Sequence, residues 1–303
     1  MKTIHFRDMG KFRCETVTGI GKFDGVHLGH RAVLDTIVKD AENTTLAPAV
    51  FTFRKFPAEF LLCGWDEKLA LLKNSGIKVC FWCDLDEVMH LSPATFLDIL
   101  LGTGVKTLVV GYDFHFGSGR KGNIKFMREM KGEKGFDLKV VPPHKVNGEV
   151  VNASEIRSFI RKGDISRANN FLGRHFSVSG EVIKGSNIGN TIGFPTANLK
   201  LDNNIRIGEG VYAGWALHGG KIYEAAVVAG ISPTFYDGIS KFEVFLIGFR
   251  GKDIYGERLK VFLFKKLRNQ IKFPDKDSLK VRISEDVKEI TAILANQPAP
   301  RVS

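Results

Sequence analysis

Two histidines, His27 and His30, stand three residues apart in the glycine-rich segment 19–30. Glycine lets the backbone approach a bound phosphate, and the N-terminus of a helix favours negative charge. Residues three apart in a helix project to the same side, so both imidazoles could donate hydrogen bonds to phosphate oxygens. The pattern therefore indicates a triphosphate site. Two structural histidines are one alternative interpretation, and a metal pair, for which no third ligand is obvious, is another.

A second segment with the composition of a nucleotide-phosphate site lies far along the chain. It comprises residues 185–189 and the hexapeptide Gly-Phe-Pro-Thr-Ala-Asn at 193–198. Thr196 and Asn198 are two residues apart, so on a strand they would point to the same side. Taken alone, the hexapeptide is also consistent with a strand that enters a turn. Two such segments in one chain favour two nucleotide-dependent steps.

The elements that must position the first segment alternate between strands and helices. Apolar residues in 29–42 recur at helical spacing, and Ser92-Pro93 has the form of an N-cap followed by proline at the first helical position. Repeated alternation favours a parallel sheet with helices on both faces, a doubly wound α/β fold. The predicted strands are 16–20, 47–53, 78–85, 107–110 and 138–141, and the predicted helices are 29–42, 66–75, 93–101 and 123–131.

The pattern changes after about Arg174. Closely spaced strands follow, with Gly219-Gly220 as a hairpin signal, and such a run favours a small antiparallel β-barrel of five or six strands. A helical segment at 156–172 would close the first domain. We therefore predict an N-terminal domain at 1–174, a barrel domain at 175–296 and a flexible tail at 297–303. The predicted barrel strands are 178–183, 211–217, 222–229, 242–249 and 259–264, and a long helix is predicted at 277–294.

The composition is that of a globular protein. The chain has 303 residues, a formal net charge of +11, 44% hydrophobic residues and 25% charged residues. This length is typical of about two domains. A positive net charge favours anionic partners such as nucleotides, nucleic acid or an acidic membrane surface. The basic clusters, such as 264–268, are short and interrupted by apolar residues at strand spacing, which favours solvated strand faces over a nucleic-acid groove.

Four cysteines are present: Cys14, Cys63, Cys80 and Cys83. The first eight residues have no apolar signal-peptide core, and no apolar run reaches the ~18 residues of a membrane span. We therefore expect a cytoplasmic protein with reduced thiols and no membrane partner. Cys80 and Cys83 form a lone CxxC inside an apolar run, for which a buried strand is favoured over a zinc site.

The sequence Gly-Lys-Phe-Asp-Gly-Val-His-Leu-Gly-His at 21–30 resembles the signature of bacterial flavin adenylyltransferases, a branch of the HxGH nucleotidyltransferases. Residues 110–117 are similar to the second segment of that family, and residues 151–157 to its Ser/Thr-rich stretch. The resemblance implies a Rossmann-like, doubly wound parallel sheet. It also implies transfer of the AMP part of ATP to FMN, with release of pyrophosphate.

The same resemblance implies roles for individual residues of the first site. His27 and His30 would contact the ATP phosphates. Ser154 and Arg157 would complete that cradle, since hydroxyl donors and a guanidinium fork suit a leaving pyrophosphate. The residues that would place nucleotide and flavin are Gly21, Phe23, Asp24, Gly25, Gly29, Gly111, Asp113, Phe114 and His115.

Residues 185–189 and 193–198 together resemble the riboflavin kinase signature. In that family a glycine-containing loop covers the ATP phosphates. Thr196 and Asn198 would supply oxygen ligands to Mg²⁺, which prefers hard oxygen donors. Glu243 matches the family's general base, which would accept the proton of the riboflavin 5′-hydroxyl as that oxygen attacks the γ-phosphate. The other residues that the resemblance places near the substrates are Gly185, Gly189, Gly193, Pro195 and Arg268.

The chain departs from the family patterns at several of these positions. Asn152 replaces a serine but can still donate hydrogen bonds, and His115 replaces an arginine but can carry charge. Lost arginines would raise the KM for ATP or flavin, because a lysine does not replace a bidentate fork. The departing residues are Phe56, His115, Asn152, Asn190, Ser232 and Phe245.

The two resemblances cover nearly the whole chain and predict a bifunctional riboflavin kinase and FMN adenylyltransferase that uses ATP and Mg²⁺. Riboflavin, FMN and FAD would be its substrates and products, and nucleic acid would not be a partner. One alternative is a chain with a single live activity, the kinase before the adenylyltransferase. Others are a flavin or nucleotide sensor without turnover that binds RNA or protein, and a nucleotidyltransferase with another acceptor. The oligomeric state stays open.

Overall fold

The computed structural model describes residues 1–185, 188–231, 240–251 and 253–300. The chain forms two units, one made of Met1–Glu59 and Trp65–Asn152 and the other of Phe60–Gly64 and Ala153–Ser303. Among the residues described, no helix is both long enough and apolar enough to cross a membrane.

The first unit is built on a parallel sheet. Its strands are β1 Lys2–His5, β2 Thr16–Ile20, β3 Ala47–Phe53, β4 Val79–Cys83, β5 Val105–Gly111, β6 His115–Phe116, β7 Gly122–Asn123, β8 Asp137–Val141, β9 Lys145–Val146 and β10 Glu149–Val150. Its α-helices are α1 Leu28–Glu42, α2 Trp65–Asn74, α3 Pro93–Leu101 and α4 Ile124–Lys134. The large sheet has the order β1-β4-β3-β2-β5-β8, and every neighbouring pair is parallel. β6 pairs with β7, and β9 with β10, as short antiparallel ribbons.

Helices cover both faces of this sheet, because its strands carry buried apolar side chains on both sides. Val109 and Val110 are consecutive in β5 and enter opposite cores, as the alternation of side chains in a strand requires. The core under α1 and α2 contains Val17, Leu34, Ile37, Val50, Leu72 and Val109. The core under α3 and α4 contains Phe51, Phe81, Phe96, Leu100, Val110 and Met127. The predicted doubly wound α/β fold is confirmed.

Capping residues set the helix bounds that the sequence predicts. The Ser92 hydroxyl accepts a hydrogen bond from the Thr95 amide at 3.1 Å, and α3 ends at Gly102, so the predicted helix is confirmed at both ends. The Asn123 side chain accepts from the Phe126 amide at 3.0 Å and caps α4 in the same way.

Strand β1 is not predicted by the sequence. Only Ile4 is buried in this segment, so Lys2–His5 lacks the regular apolar alternation of a recognisable strand. The segment is a strand because it pairs in parallel with β4, from Lys2 beside Val79 to His5 beside Trp82. Its strand character comes from tertiary pairing rather than from local sequence.

The two cysteines of β4 are buried, which confirms the prediction of a buried strand with two thiols. Burial raises the pKa of Cys80 to about 12. Burial, with a smaller contribution from Glu87, raises the pKa of Cys83 to about 12 as well. Both thiols are therefore protonated at neutral pH, and the protonated form is neither the metal ligand nor the nucleophile.

The second unit contains a closed barrel of antiparallel strands. Its strands are β11 Phe176–Ile183, β12 Ala197–Leu201, β13 Gly210–His218, β14 Lys221–Ile231, β15 Ser240–Leu246 and β16 Arg258–Arg268. Its α-helices are α5 Ala153–Lys162, α6 Ile165–Leu172, α7 Ile188–Thr191 and α8 Lys276–Leu294. The barrel closes in the order β11-β12-β15-β14-β13-β16, so the predicted small antiparallel barrel is confirmed.

Glycines with positive φ explain how these elements turn. Gly219 and Gly220 have φ of 53° and 77° and join β13 to β14 directly, with His218 paired to Lys221, as in a two-residue hairpin loop. The helical segment predicted at 156–172 is instead two helices, because Gly163 has φ of 77° and breaks the helical backbone. A new N-cap at Asp164 then starts α6.

Candidate active sites

The order of the parallel sheet defines where the first site lies. Strand order reverses at β2 and β5, which are neighbours paired from Thr16 beside Val105 to Gly19 beside Val109. Ligands of doubly wound sheets bind beyond the carboxyl ends of strands at such a reversal. The segment with the two histidines follows β2, and the segment 111–117 follows β5. The fold therefore brings the two motifs of the first site to the same edge of the sheet.

The turn after β2 has an unusual backbone. Phe23, Gly25 and Val26 have φ of 46°, 70° and 39°, which places all three in the left-handed region. Glycine adopts such angles freely, but a β-branched valine is a true outlier. Strained conformations of this kind persist only where the surrounding structure holds them, and they concentrate at functional sites. Asp24 lies within the turn and is 2% exposed.

The two imidazoles lie against each other at the start of α1. His27 is the N-cap, and its Nδ1 accepts a hydrogen bond from the His30 amide at 3.3 Å. Because Nδ1 accepts, the proton of a neutral His27 ring resides on Nε2, from which it can be donated to a ligand. The two rings stack with centroids 3.6 Å apart, and Phe23 packs edge-on to His30 at 5.3 Å. The predicted projection of both rings to one side is thus observed.

Gly29 lets another segment approach this histidine pair. A side chain at Gly29 would begin 3.2 Å from the His27 ring and 3.2 Å from the carbonyl oxygen of Val151. Val151 stands three residues before Ser154. The first residue of the Ser/Thr-rich stretch 151–157 therefore lies against the first turn of α1.

The segment after β5 separates into exposed polar and packed aromatic residues. Asp113 and His115 are exposed, and Nδ1 of His115 is 2.8 Å from the carbonyl oxygen of Asp113. Phe114 and Phe116 stack with centroids 5.3 Å apart and pack on the core beneath α3 and α4. The Asp113 carboxylate folds back towards Gly111, where a side chain would begin 3.4 Å from Oδ1, an ordinary van der Waals distance.

Ser154 and Arg157 lie on α5 in the second unit. Ser154 is exposed in the first turn of this helix. Arg157 is partly buried, and its Nε donates to the carbonyl oxygen of Phe60 at 2.7 Å. Their place at the ATP phosphates stays a prediction. Asn152 ends the first unit, and its Nδ2 donates to the carbonyl oxygen of Val150 at 3.3 Å.

The second site is assembled around Thr196 and Asn198. Gly185 approaches Asn198 so closely that a methyl group on this glycine would collide with the Asn198 amide. A methyl group on Gly189 would collide with the carbonyl oxygen of Phe194 and lie 3.2 Å from the Thr196 hydroxyl. Gly185 and Gly189 therefore lie directly against the side chains of Asn198 and Thr196. Only residues without a side chain fit there.

Glu243 faces this cluster from the neighbouring strand. β12 pairs with β15 so that Asn198 stands directly beside Glu243, and cross-strand neighbours of this kind interact through their side chains. The Glu243 side chain is 14% exposed, and its Oε1 is 2.8 Å from Nζ of Lys241. A carboxylate and an amide thus stand side by side near the start of β12, although 45 residues separate them along the chain, from 198 to 243.

The remaining residues of the hexapeptide shape the turn into β12. Gly193 has φ of 89°, and the Phe194 amide donates to the carbonyl oxygen of Gly189 at 2.9 Å. The Phe194 ring packs edge-on to Phe245 at 5.4 Å, while Pro195 is exposed. Ser186, Asn187 and the departure at Ser232 lie outside the described residues, as does the side chain of Asn190.

Comparison with known proteins relates both parts of the chain to protein families. A family model for FAD synthetase matches residues 10–155, and a model for riboflavin kinase matches residues 172–294. A bifunctional riboflavin kinase/FMN adenylyltransferase from Bacillus subtilis is 32% identical, over 98% of this chain and 99% of the relative. The chain belongs to this bifunctional family.

Other relatives in the family give the same result. A bifunctional riboflavin kinase/FMN adenylyltransferase from Haemophilus influenzae is 33% identical, over 90% of this chain and 92% of the relative. One from Escherichia coli K12 is also 33% identical, over 91% of this chain and 91% of the relative. A crystal structure of a Streptococcus pneumoniae protein described as a macrolide-efflux protein is similar in fold. Its TM-score is 0.85 at 25% identity, over 98% of this chain and 100% of that chain.

Arg268 occupies a structural position in the riboflavin kinase part of the chain. Its Nε lies 2.9 and 3.2 Å from the two carboxylate oxygens of Asp286 on α8, and a second guanidinium nitrogen contacts the same carboxylate. Arg282 adds a contact to Asp286 at 3.0 Å. The side chains of Arg268 and Asp286 are only 17% and 4% exposed. The predicted contact of Arg268 with flavin or nucleotide stays untested, but its guanidinium demonstrably joins β16 to α8.

We expect Arg268→Met to destabilise the barrel unit by about 3 kcal/mol, because removing one partner of a buried ion pair leaves an uncompensated charge. The value lies at the lower end of the usual range because Arg282 still contacts Asp286. Urea unfolding followed by circular dichroism measures this change. The double variant Arg268→Met/Asp286→Leu should recover most of the loss. A single variant as stable as the original chain would contradict the structural role.

Two residues beside the sites were not singled out from the sequence. Lys241 pairs with Glu243, and Lys68 on α2 is 2% exposed with its ammonium in the protein interior. A signal existed for Lys68, since it stands three residues after Trp65 and four before buried Leu72, on the apolar side of the helix. No local signal existed for Lys241, because strand lysines are ordinarily solvated.

Proposed function

We propose that the barrel phosphorylates riboflavin to FMN and that the parallel-sheet domain transfers AMP from ATP to FMN. The chain is a bifunctional riboflavin kinase and FMN adenylyltransferase, as its family membership indicates. One observation supports this assignment of one reaction to each part of the chain. His27, His30 and the segment 110–117 lie inside the match at 10–155, whereas residues 185–198 and Glu243 lie inside the match at 172–294. We place the functional boundary between residues 174 and 175, with a tail at 297–303.

In the adenylyltransferase step, a phosphate oxygen of FMN attacks the α-phosphorus of ATP, and pyrophosphate leaves. The stacked histidines and the N-terminus of α1 would stabilise the negative charge that develops on the departing oxygens. The proton on Nε2 of His27 and the ring of His30 supply the donors. Ser154 and Arg157 complete this set of donors in our proposal, on the basis of the family resemblance. Residues that place nucleotide and flavin are Gly21, Phe23, Asp24, Gly25, Gly29, Gly111, Asp113, Phe114 and His115.

In the kinase step, the 5′-hydroxyl oxygen of riboflavin attacks the γ-phosphorus of ATP, and ADP leaves. We propose that Glu243 accepts the hydroxyl proton as the new bond forms. The position of Glu243 supports this role, because the carboxylate lies directly beside Asn198 and the Lys241 ammonium contacts its Oε1 at 2.8 Å. The glycines of the covering loop would admit the triphosphate close to the backbone. We assign this loop and its surroundings to Gly185, Gly189, Gly193, Pro195 and Arg268.

The residues at the end of β12 fit a magnesium ion. Thr196 and Asn198 offer hard oxygen donors, and Gly185 and Gly189 lie against these two side chains. We propose that these two residues hold Mg²⁺ together with ATP. When bound, the ion would neutralise phosphate charge.

The partners in our proposal are ATP, riboflavin and FMN, without nucleic acid. Several basic side chains are already engaged by carboxylates, which supports solvated surfaces rather than a nucleic-acid groove. Examples are Lys134 with Asp98, Lys139 with Asp40 and Arg258 with Asp202. We also propose a cytoplasmic location, a compartment in which the thiols of the four cysteines would stay reduced.

A time course tests the proposed function directly. Purified protein with riboflavin, ATP and Mg²⁺ should produce FMN first and FAD second, separated by chromatography. FMN that never proceeds to FAD would contradict the assigned adenylyltransferase activity, and FMN supplied with ATP would verify that result. FAD from supplied FMN, but no FMN from riboflavin, would contradict the kinase assignment. Flavin that binds without any product would support the sensor alternative.

A further inference from the structure

Lys68 places a charged group in the interior of the first unit. The residue is 2% exposed, and its Nζ donates to the carbonyl oxygens of Lys22 and Phe53, both at 2.9 Å. The ammonium also lies 5.0 Å from the ring centroid of Phe56 and 5.7 Å from that of Trp65. Burial of a lysine costs free energy unless hydrogen bonds or opposite charges compensate its ammonium group. The two carbonyl oxygens provide such hydrogen bonds here. None of the roles assigned above uses Lys68.

The two carbonyls that Lys68 joins belong to different parts of the first site. Lys22 directly precedes Phe23, the first left-handed residue of the turn that ends at Val26, and Phe53 ends β3. The same Lys22 carbonyl accepts a second hydrogen bond from the Thr52 hydroxyl at 3.1 Å. Lys68 and Thr52 therefore fix the backbone at the point where it leaves the regular strand and enters the strained turn. Hydrogen bonds from a charged donor are about twice as strong as neutral ones.

We propose that Lys68 is a positioning residue for the adenylyltransferase reaction. Its ammonium holds the turn 22–26 against the end of β3. The conformation of this turn then sets the orientation of the His27 and His30 rings. The inference rests on the proposed function of the first site. Because its ammonium is bonded to the backbone of the turn and of β3, Lys68 would act on the reaction through the two histidines.

Three variants at position 68 and one control test this role in the full chain. Lys68→Met should lower kcat for FAD synthesis from FMN and ATP about 100-fold, the effect of a misplacement of about 1 Å, with a much smaller change in the KM for ATP. Lys68→Arg retains charge and donors and should recover most of the activity. Lys68→Gln retains a donor without charge and should fall between them. Lys73→Met, at an exposed lysine of the same helix, should have no effect.

The kinase reaction of the same chain serves as the internal control. Riboflavin phosphorylation should be unchanged in all four variants. If Lys68→Met only destabilised the fold, kcat and the KM for ATP would not change separately, and Lys68→Arg would not restore FAD synthesis. Full FAD synthesis by Lys68→Met would overturn the inference, as would an Lys68→Arg variant no better than Lys68→Met.

A second pair of variants decides the question if Lys68→Met does not fold. Thr52→Val removes the other hydrogen bond to the Lys22 carbonyl, and both residues have the same shape. Thr18→Val is its matched control, because the buried Thr18 hydroxyl bonds to that of Thr16 at 2.8 Å and does not contact the turn. We expect Thr52→Val to lower kcat for FAD synthesis about tenfold, as for a lost hydrogen bond, and Thr18→Val to leave it unchanged. Equal activities would overturn the inference.

The unmodified chain and His30→Ala, assayed in parallel, separate this inference from the proposed function. If the unmodified chain makes no FAD from FMN, the proposed function itself fails. If the unmodified chain is active, His30→Ala is inactive and Lys68→Met is fully active, the site assignment stands and only the role of Lys68 is wrong.

Discussion

Replacing His30 with alanine is expected to lower kcat for FAD synthesis by about 10²–10³, the usual effect of removing one donor from a charge-stabilising site. The imidazole stacks on His27 with centroids 3.6 Å apart, at the N-terminus of α1 beside the strained turn. Its loss removes a donor to the departing pyrophosphate. The assay supplies FMN and ATP and measures FAD by chromatography, while riboflavin phosphorylation by the same sample should be unchanged.

Substitution of His30 tests the catalytic role better than substitution of His27, because only the His27 ring also caps a helix. The His27 ring caps α1 by accepting from the His30 amide, so its removal would also cost about 1 kcal/mol of helix stability. The His30 side chain is not the cap. His90→Ala, at an exposed histidine of the same unit, is the matched control. If His30→Ala made FAD at the rate of His90→Ala, His30 would be a structural residue, the alternative that the sequence leaves open.

The first site shows which features a sequence can predict. Its glycines and histidines are contiguous, and a strand before them and a helix after them follow from apolar periodicity alone. That local pattern was enough to place His27 and His30 at the start of α1. The left-handed backbone of Val26 was not predictable, because a β-branched residue disfavours it locally. Tertiary contacts such as those of Lys68 and Thr52 with the Lys22 carbonyl must hold it.

The second site depends more strongly on long-range pairing. The barrel could be predicted from the density of strands, but its register could not, because strand pairing is set by the whole closed sheet. The position of Asn198 beside Glu243 follows from that register. The same limit applies to Arg268, which the family resemblance placed near the ligands. Its partner Asp286 stands 18 residues further along, on α8, and no local pattern connects the two.

Replacing Glu243 with glutamine is expected to lower kcat for FMN synthesis by about 10²–10⁴, the usual contribution of a general base. Glutamine has the same shape as glutamate and preserves the packing beside Asn198, but it cannot take the hydroxyl proton. FAD synthesis from supplied FMN should be unchanged, which shows that the chain is folded. Glu181→Gln, at an exposed carboxylate on β11 of the same barrel, is the matched control and should retain full kinase activity.

The competing interpretation is that Glu243 is only a strand carboxylate that forms an ion pair with Lys241, their charged atoms 2.8 Å apart. Lys241→Met separates the two interpretations, because it removes that ion pair and leaves the carboxylate in place. If the ion pair were the whole role of Glu243, both variants would lower kinase activity equally, and only slightly, since partly exposed pairs contribute up to about 1 kcal/mol. If Glu243 is the general base, Glu243→Gln should lose far more kinase activity than Lys241→Met. Equal losses would contradict the assignment, and the proton would then need another acceptor near the end of β12.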